Sequence, residues 1–187
     1  MHASICDFLL DIVQNSIEAN ATLVEVSIKE SRKSIAFVVK DNGKGMSEEI
    51  LKKVTDPFYT DGEKHVHRKI GLGLPFLIQA TEAVEGKFSI TSQVGVGTTV
   101  NFSFLLDAID CPPMGDLIAT MVAFLTFGDE DHQLLIKREL TLEKQQESYE
   151  IDRLELLDLL GDFSTVGNLK LLKSYIESQE AALNEIR

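Results

Sequence analysis

Asp41 ends a β-branched run in "VVKDNGKG", and Gly43 and Gly45 follow it. A carboxylate at a strand end accepts hydrogen bonds from an exocyclic amine, and glycines let the backbone approach a flat ring closely. Gly71-Leu72-Gly73-Leu74 precedes the apolar stretch "PFLIQA". Glycines before a helix start free backbone N–H groups for phosphate oxygens, and the helix dipole favours the anion. The preceding loop, "DPFYTDGEKHVHRKI", carries Lys64, Arg68 and Lys69, cations that can neutralise terminal phosphate charge. Near the chain start Asp11 and Asn15 stand one helical turn apart in "LLDIVQNSIEANA", and "VGVGTTV" holds Gly95, Gly97 and Thr98.

Taken singly, each motif has a plainer reading. D-x-G-x-G is commonly a tight turn with an Asx hydrogen bond. The polar side of the first helix is commonly a solvated face, and "VGVG" a strand-connecting turn. The G-L-G-L spacing fits neither the Walker loop nor the dinucleotide fingerprint. His65 and His67 lack a third ligand at a recognised spacing, so a solvated loop fits them better than a metal site.

The elements that must position these residues follow from periodicity. Ile5, Phe8, Leu9, Ile12 and Val13 define the buried stripe of a helix beginning near Ser4. Alternation and β-branched content predict strands over 23–30, 34–41, 86–93 and 98–106. A helix starts near Ser47, and another runs to about Ala83. This order predicts an α+β two-layer sandwich, a mixed sheet with helices on one face and the other face open. Pro112 and Pro113 mark a boundary, giving a first domain over 1–105 and an extension over 106–187. The extension reads as a helix, two short strands and two further helices.

Bulk properties exclude several classes. The chain has 187 residues, 44% of them hydrophobic, enough for a real core. Two cysteines, Cys6 and Cys111, are too few for a disulfide framework and suit a reducing cytoplasm. No signal peptide is evident, and the longest nearly apolar run, Leu117 to Phe127, falls short of a membrane span. Residues 1–105 carry 11 Lys+Arg against 13 Asp+Glu, a net of −2, whereas residues 106–187 carry 7 against 17, a net of −10. That balance argues against nucleic acid and fits a basic protein partner or solubility.

Together and in order, D-x-x-x-N, D-x-G-x-G, P-F-Y-T, G-L-G-L and G-x-G-T resemble the GHKL superfamily of histidine-kinase-like ATPases, over residues 5–105. The resemblance implies the Bergerat ATP-binding fold and ATP with Mg²⁺. It implies that Asn15 ligates Mg²⁺, Asp41 reads the adenine amine, and Gly43 and Gly45 line the ring. Lys64, Gly71, Leu72, Gly73 and Leu74 would enclose the phosphates, and Thr98 would lie beneath the adenine. Asp11 takes the place of the general base, which is a glutamate in the hydrolysing branch, so it has one methylene less reach. The loop also lacks the extra glycine common before G-L-G-L in kinases.

A phosphoacceptor hairpin before the first helix is not expected, so the alternatives are hydrolysis, transfer to a separate protein, or a nucleotide-driven switch. The tail resembles that of small stand-alone histidine-kinase-like proteins encoded beside iron-only hydrogenase and electron-transfer subunits. That implies a redox-associated or signalling protein partner. Leu154, Leu157, Leu160, Leu169, Leu172 and Ile176 recur at helical spacing, which suits core packing or a homodimer seam.

Overall fold

The computed structural model describes residues 4–56, 73–128 and 132–187. Helix α1 (Ile5–Glu18) opens on a capping box: Ser4 Oγ accepts from Asp7 N, and Asp7 Oδ2 accepts from Ser4 N at 2.8 Å. These bonds satisfy orphan donors of the first turn. The N–H groups of Ile5 and Cys6 donate at 2.9 Å to the carbonyls of Pro113 and Met114. The proline-rich connection therefore ties down the start of α1. Every residue of the expected stripe, from Ile5 to Val13, is buried.

Strands β1 (Leu23–Ser31) and β2 (Ser34–Asp41) form an antiparallel hairpin. Short helix α2 (Glu48–Thr55), capped by Ser47, leads away from it, and α3 (Gly73–Ala83) precedes β3 (Lys87–Gln93) and β4 (Gly97–Leu105). The remaining elements are α4 (Leu117–Thr126), β5 (Gln133–Leu142), β6 (Gln145–Asp152), α5 (Arg153–Leu160) and α6 (Val166–Leu183). The six strands make one mixed sheet in the order β3-β4-β2-β1-β5-β6. The extension thus shares the sheet, because β5 pairs in parallel with β1 from Leu23 opposite Gln133 to Ser31 opposite Thr141.

One face of the sheet holds the core. Val24, Val26 and Ile28 alternate inward from β1, Ile35, Phe37 and Val39 from β2, and Val100, Phe102 and Phe104 from β4. Phe37 stacks on Phe102 with centroids 4.8 Å apart, a favourable cross-strand aromatic pair. Buried residues of α1, α3, α4, α5 and α6 belong to the same cluster. The opposite face carries cross-strand ion pairs such as Lys40–Glu25 and Lys137–Glu150, both at 2.9 Å.

The leucine stripe of the tail divides. Leu172 and Ile176 are buried in the core, whereas Leu154 is exposed. None of the described helices is long and apolar enough to cross a membrane.

Candidate functional site

The end of β2 packs beside the start of β4 and beneath α1. Register pairs Asp41 with Thr98. The Asp41 carboxylate is buried, and three donors hold it. Gly43 N reaches Oδ1 at 2.8 Å, Thr98 N reaches Oδ1 at 3.2 Å, and Ser16 Oγ lies 3.0 Å from Oδ2. A carboxylate offers about four lone-pair positions. Among the described residues three are used, which leaves one on Oδ2.

Asp41 borders a cavity of about 280 Å³ whose wall includes Ile12, Asn15, Leu74, Ile90, Thr98 and Val100. Apolar side chains flank a fixed acceptor, the usual composition of a site for a flat polar ring. Lys44 and Gly45 complete one side. Gly45 has φ +63°, and a Cβ there would stand 2.0 Å from the Gln93 carbonyl oxygen, so only glycine fits this approach. Gly43 lies behind the carboxylate, buried against Ala19, and serves as a donor.

Asn15 is exposed at the cavity wall. One turn earlier, Asp11 faces the start of α3, where a Cβ placed on Gly73 would stand 1.8 Å from Asp11 Oδ2. Gly73 is therefore the first residue of a helix pressed directly onto a carboxylate. Lys64, Gly71, Leu72, His65 and His67 lie outside the described residues. The remaining described histidine, His132, is buried, with Nδ1 3.1 Å from the Ala21 carbonyl oxygen.

Two contributors were absent from the sequence reading. Ser16 continues the apolar stripe of α1 at i+4 from Ile12 and i+3 from Val13, so a hydroxyl on a buried face was the available signal. Ser92 accepts from Met46 N at 2.8 Å, lies 2.8 Å from Thr98 Oγ1, and donates to the Gly97 carbonyl at 3.2 Å. It fastens the glycine-rich segment after Asp41 to the β3–β4 turn, and no local pattern announced it.

A buried carboxylate under a helix, beside a glycine forced by close approach, thus borders a cavity on an α+β sandwich. In comparison with known families, residues 3–108 match the family described as histidine kinase-, DNA gyrase B-, and HSP90-like ATPase, and the chain belongs to it. The Bergerat-like α+β fold expected from the motifs is the fold present.

Among curated relatives, sporulation kinase C of Bacillus subtilis is 34% identical over 91 residues, 48% of this chain and 20% of that kinase. Sporulation kinase A of the same organism is 30% identical over 97 residues, 51% of this chain and 15% of that kinase. The similarity thus spans a fifth of these kinases or less. Among solved structures, the ADP complex of the Aquifex aeolicus MutL ATPase domain matches at TM-score 0.43 and 17% identity. That match covers 94% of this chain and 70% of the MutL chain. The catalytic domain of histidine kinase ThkA matches at TM-score 0.39 and 23% identity, covering 52% and 62%.

Proposed function

We propose that this chain binds ATP with Mg²⁺ in the cavity between α1, β2 and β4, and acts on a protein partner by ATP hydrolysis or phosphoryl transfer. The observation that carries the reading is the Asp41 carboxylate. It is fixed by Ser16, Gly43 and Thr98, and one Oδ2 lone pair remains for an amine donor at the cavity. Adenine presents such a donor beside a flat apolar face, which Ile90, Val100 and Leu74 would pack.

The metal fits the donors present. Asn15 offers a hard oxygen at the cavity wall, and the described residues hold no cluster of three His, Cys, Asp or Glu that would bind a metal alone. A Mg²⁺ ion shared between one side chain, phosphates and water needs no more. When bound, it supplies charge neutralisation on the phosphates. The start of α3 offers backbone N–H groups toward the same anion.

In this reading Asp11 would receive the proton of an attacking water or hydroxyl as the oxygen–phosphorus bond forms and the bond to ADP breaks. Asp11 rests against Gly73, so it also reports on the position of α3. This contact favours a second reading, in which nucleotide shifts α3 and thereby controls partner binding without turnover. Two free thiols fit residence in a reducing cytoplasm.

Incubation with Mg²⁺ and γ-labelled ATP, alone and with source extract, tests the reading. Label released as phosphate, at a rate lost in Asp11→Asn, establishes hydrolysis. Label on a second protein establishes transfer. Label remaining in ATP, with binding confirmed, leaves the switch. Absence of ATP binding overturns the proposal.

A further inference from the structure

At the far edge of the sheet from β3, helices α5 and α6 leave a groove of about 320 Å³ beside strand β6. Leu156, Leu159, Leu160, Leu171 and Tyr175 line it. Leu159 is 78% exposed and Leu171 57% exposed, large apolar surfaces that face water from opposite walls. Neighbouring exposed leucines of this kind, with polar residues around them, mark an interaction surface.

The charged residues that line the groove, Glu150, Asp152 and Glu155, are all acidic, while α6 carries exposed Lys170 and Lys173 on either side of Leu171. Between residues 145 and 162 the charged side chains are Glu147, Glu150, Asp152, Arg153, Glu155, Asp158 and Asp162. Arg153, the single cation among them, is buried and donates to the carbonyls of Leu125 and His132. It contributes nothing to the outer field. Glu150 is bridged by Lys137, and Asp152 caps α5 through Leu154 N. Glu155 and Asp158 stand exposed one turn apart on α5.

We propose that this groove is a docking site for a basic amphipathic helix of a protein partner. Its apolar anchors would enter between Leu159 and Leu171, and its Lys or Arg side chains would meet Glu155 and Asp158. An apolar helix stripe in a hydrophobic groove is an established mode of recognition, and charge at the rim sets partner choice. A second copy of this chain is disfavoured because it would bring the same acidic lining to the contact. An anionic lipid surface is repelled for the same reason. The inference stands independently of the nucleotide reading, since the groove shares no wall residue with that cavity.

The test uses the whole chain and a labelled synthetic helix of about 18 residues, or five turns, with Leu at helical spacing and Lys elsewhere. A twin with Glu in place of Lys serves as control. Fluorescence anisotropy should show binding of the Lys peptide that weakens with salt, and none of the Glu twin. The Leu159→Ser, Leu171→Ser double variant should weaken binding about tenfold or more, as should Glu155→Lys, Asp158→Lys. These side chains are on the surface, so thermal midpoints should be retained.

Equal binding by wild type and both variants would place the peptide on general acidity and overturn the proposal. So would binding of the Glu twin, or no binding of the Lys peptide. A sedimenting dimer that the leucine variant converts to monomer would assign the groove to a second copy and overturn it too.

Discussion

Replacing Asp41 with asparagine separates the fold from the ligand at a single atom. The Asn oxygen can remain where Oδ1 lies, still accepting from Gly43 N and Thr98 N. The amide nitrogen then takes the place of Oδ2 and donates to Ser16 Oγ. Ser16 already has a second acceptor, the Ile12 carbonyl at 3.2 Å, for its own hydrogen. The internal network therefore stays satisfied, and the folding cost is about 1 kcal/mol, or roughly 2–4 °C for a chain of this size. The ligand fares worse, because an adenine amine would meet an N–H donor instead of a charged acceptor. Losing a hydrogen bond to a charged group costs about 1.5–3 kcal/mol, so ATP affinity should fall about 10- to 150-fold.

Isothermal titration with ATP and with purine riboside triphosphate, which lacks the amine, completes a cycle. Wild type should prefer ATP by a similar factor, and Asp41→Asn should lose the preference. Unchanged ATP affinity in the variant, with its thermal midpoint intact, would refute the assignment of Asp41 as reader of the base. A wild type indifferent to the amine would refute it equally.

Gly73→Ala places a methyl on the Asp11 carboxylate, a side-chain end that can rotate away. The cost of displacing Asp11 offsets the gain in helix propensity of up to about 1 kcal/mol, so the midpoint should move little while turnover drops about 10²-fold, as for a displaced general base. Calorimetry with a phosphate-release assay checks both halves. Gly45→Ala is the contrasting case, since its Cβ would strike a backbone carbonyl at positive φ. A loss of about 3 kcal/mol is expected, seen as a midpoint lowered by roughly 6–12 °C.

Burial raises the Cys6 thiol to about 11. The raised folded value means stability is complete below about pH 9 and falls as pH rises toward 11. Denaturant titration from pH 8 to 11 should show that decline and its reduction in Cys6→Ala. Arg138→Leu removes the buried cation that Glu30 and Glu180 share, leaving Glu30 with Arg187 and Glu180 with only the Tyr149 hydroxyl among the described partners. A loss of about 3–5 kcal/mol by denaturant unfolding is expected.

The strands and the nucleotide helices were legible because their apolar residues recur at clean periods and their glycines sit between them. The partner of a strand was not legible. "HQLLIKREL" alternates like any half-buried strand, but nothing local says that it pairs with β1 across more than a hundred residues. Arg138 shows a related limit. It shares parity with Leu134, Ile136 and Leu140, and parity alone places it inside. Its neutralising partners come from β1 and α6, with Tyr149 also donating to Glu180 at 2.6 Å. Burial and the neighbouring Glu180 carboxylate push the Tyr149 hydroxyl above its ordinary range, so it stays a donor. In the site, Asp41 and Asn15 stood out through motif spacing, Ser16 was marked only by its place on the buried stripe of α1, and Ser92 acts through space and left no spacing to read.

The parallel pairing of β5 with β1 has a consequence for how the chain is made. Until β5 has left the ribosome, the outer edge of β1, from Leu23 to Ser31, exposes its N–H and C=O groups as a free template. The first two N–H groups after Ser4 wait similarly for Pro113 and Met114. The nascent nucleotide module therefore emerges with an adhesive border that its own tail later seals. A chain stopped at residue 105 should emerge with that border unsealed, and for such a fragment coaggregation in the cell would compete with ligand capture.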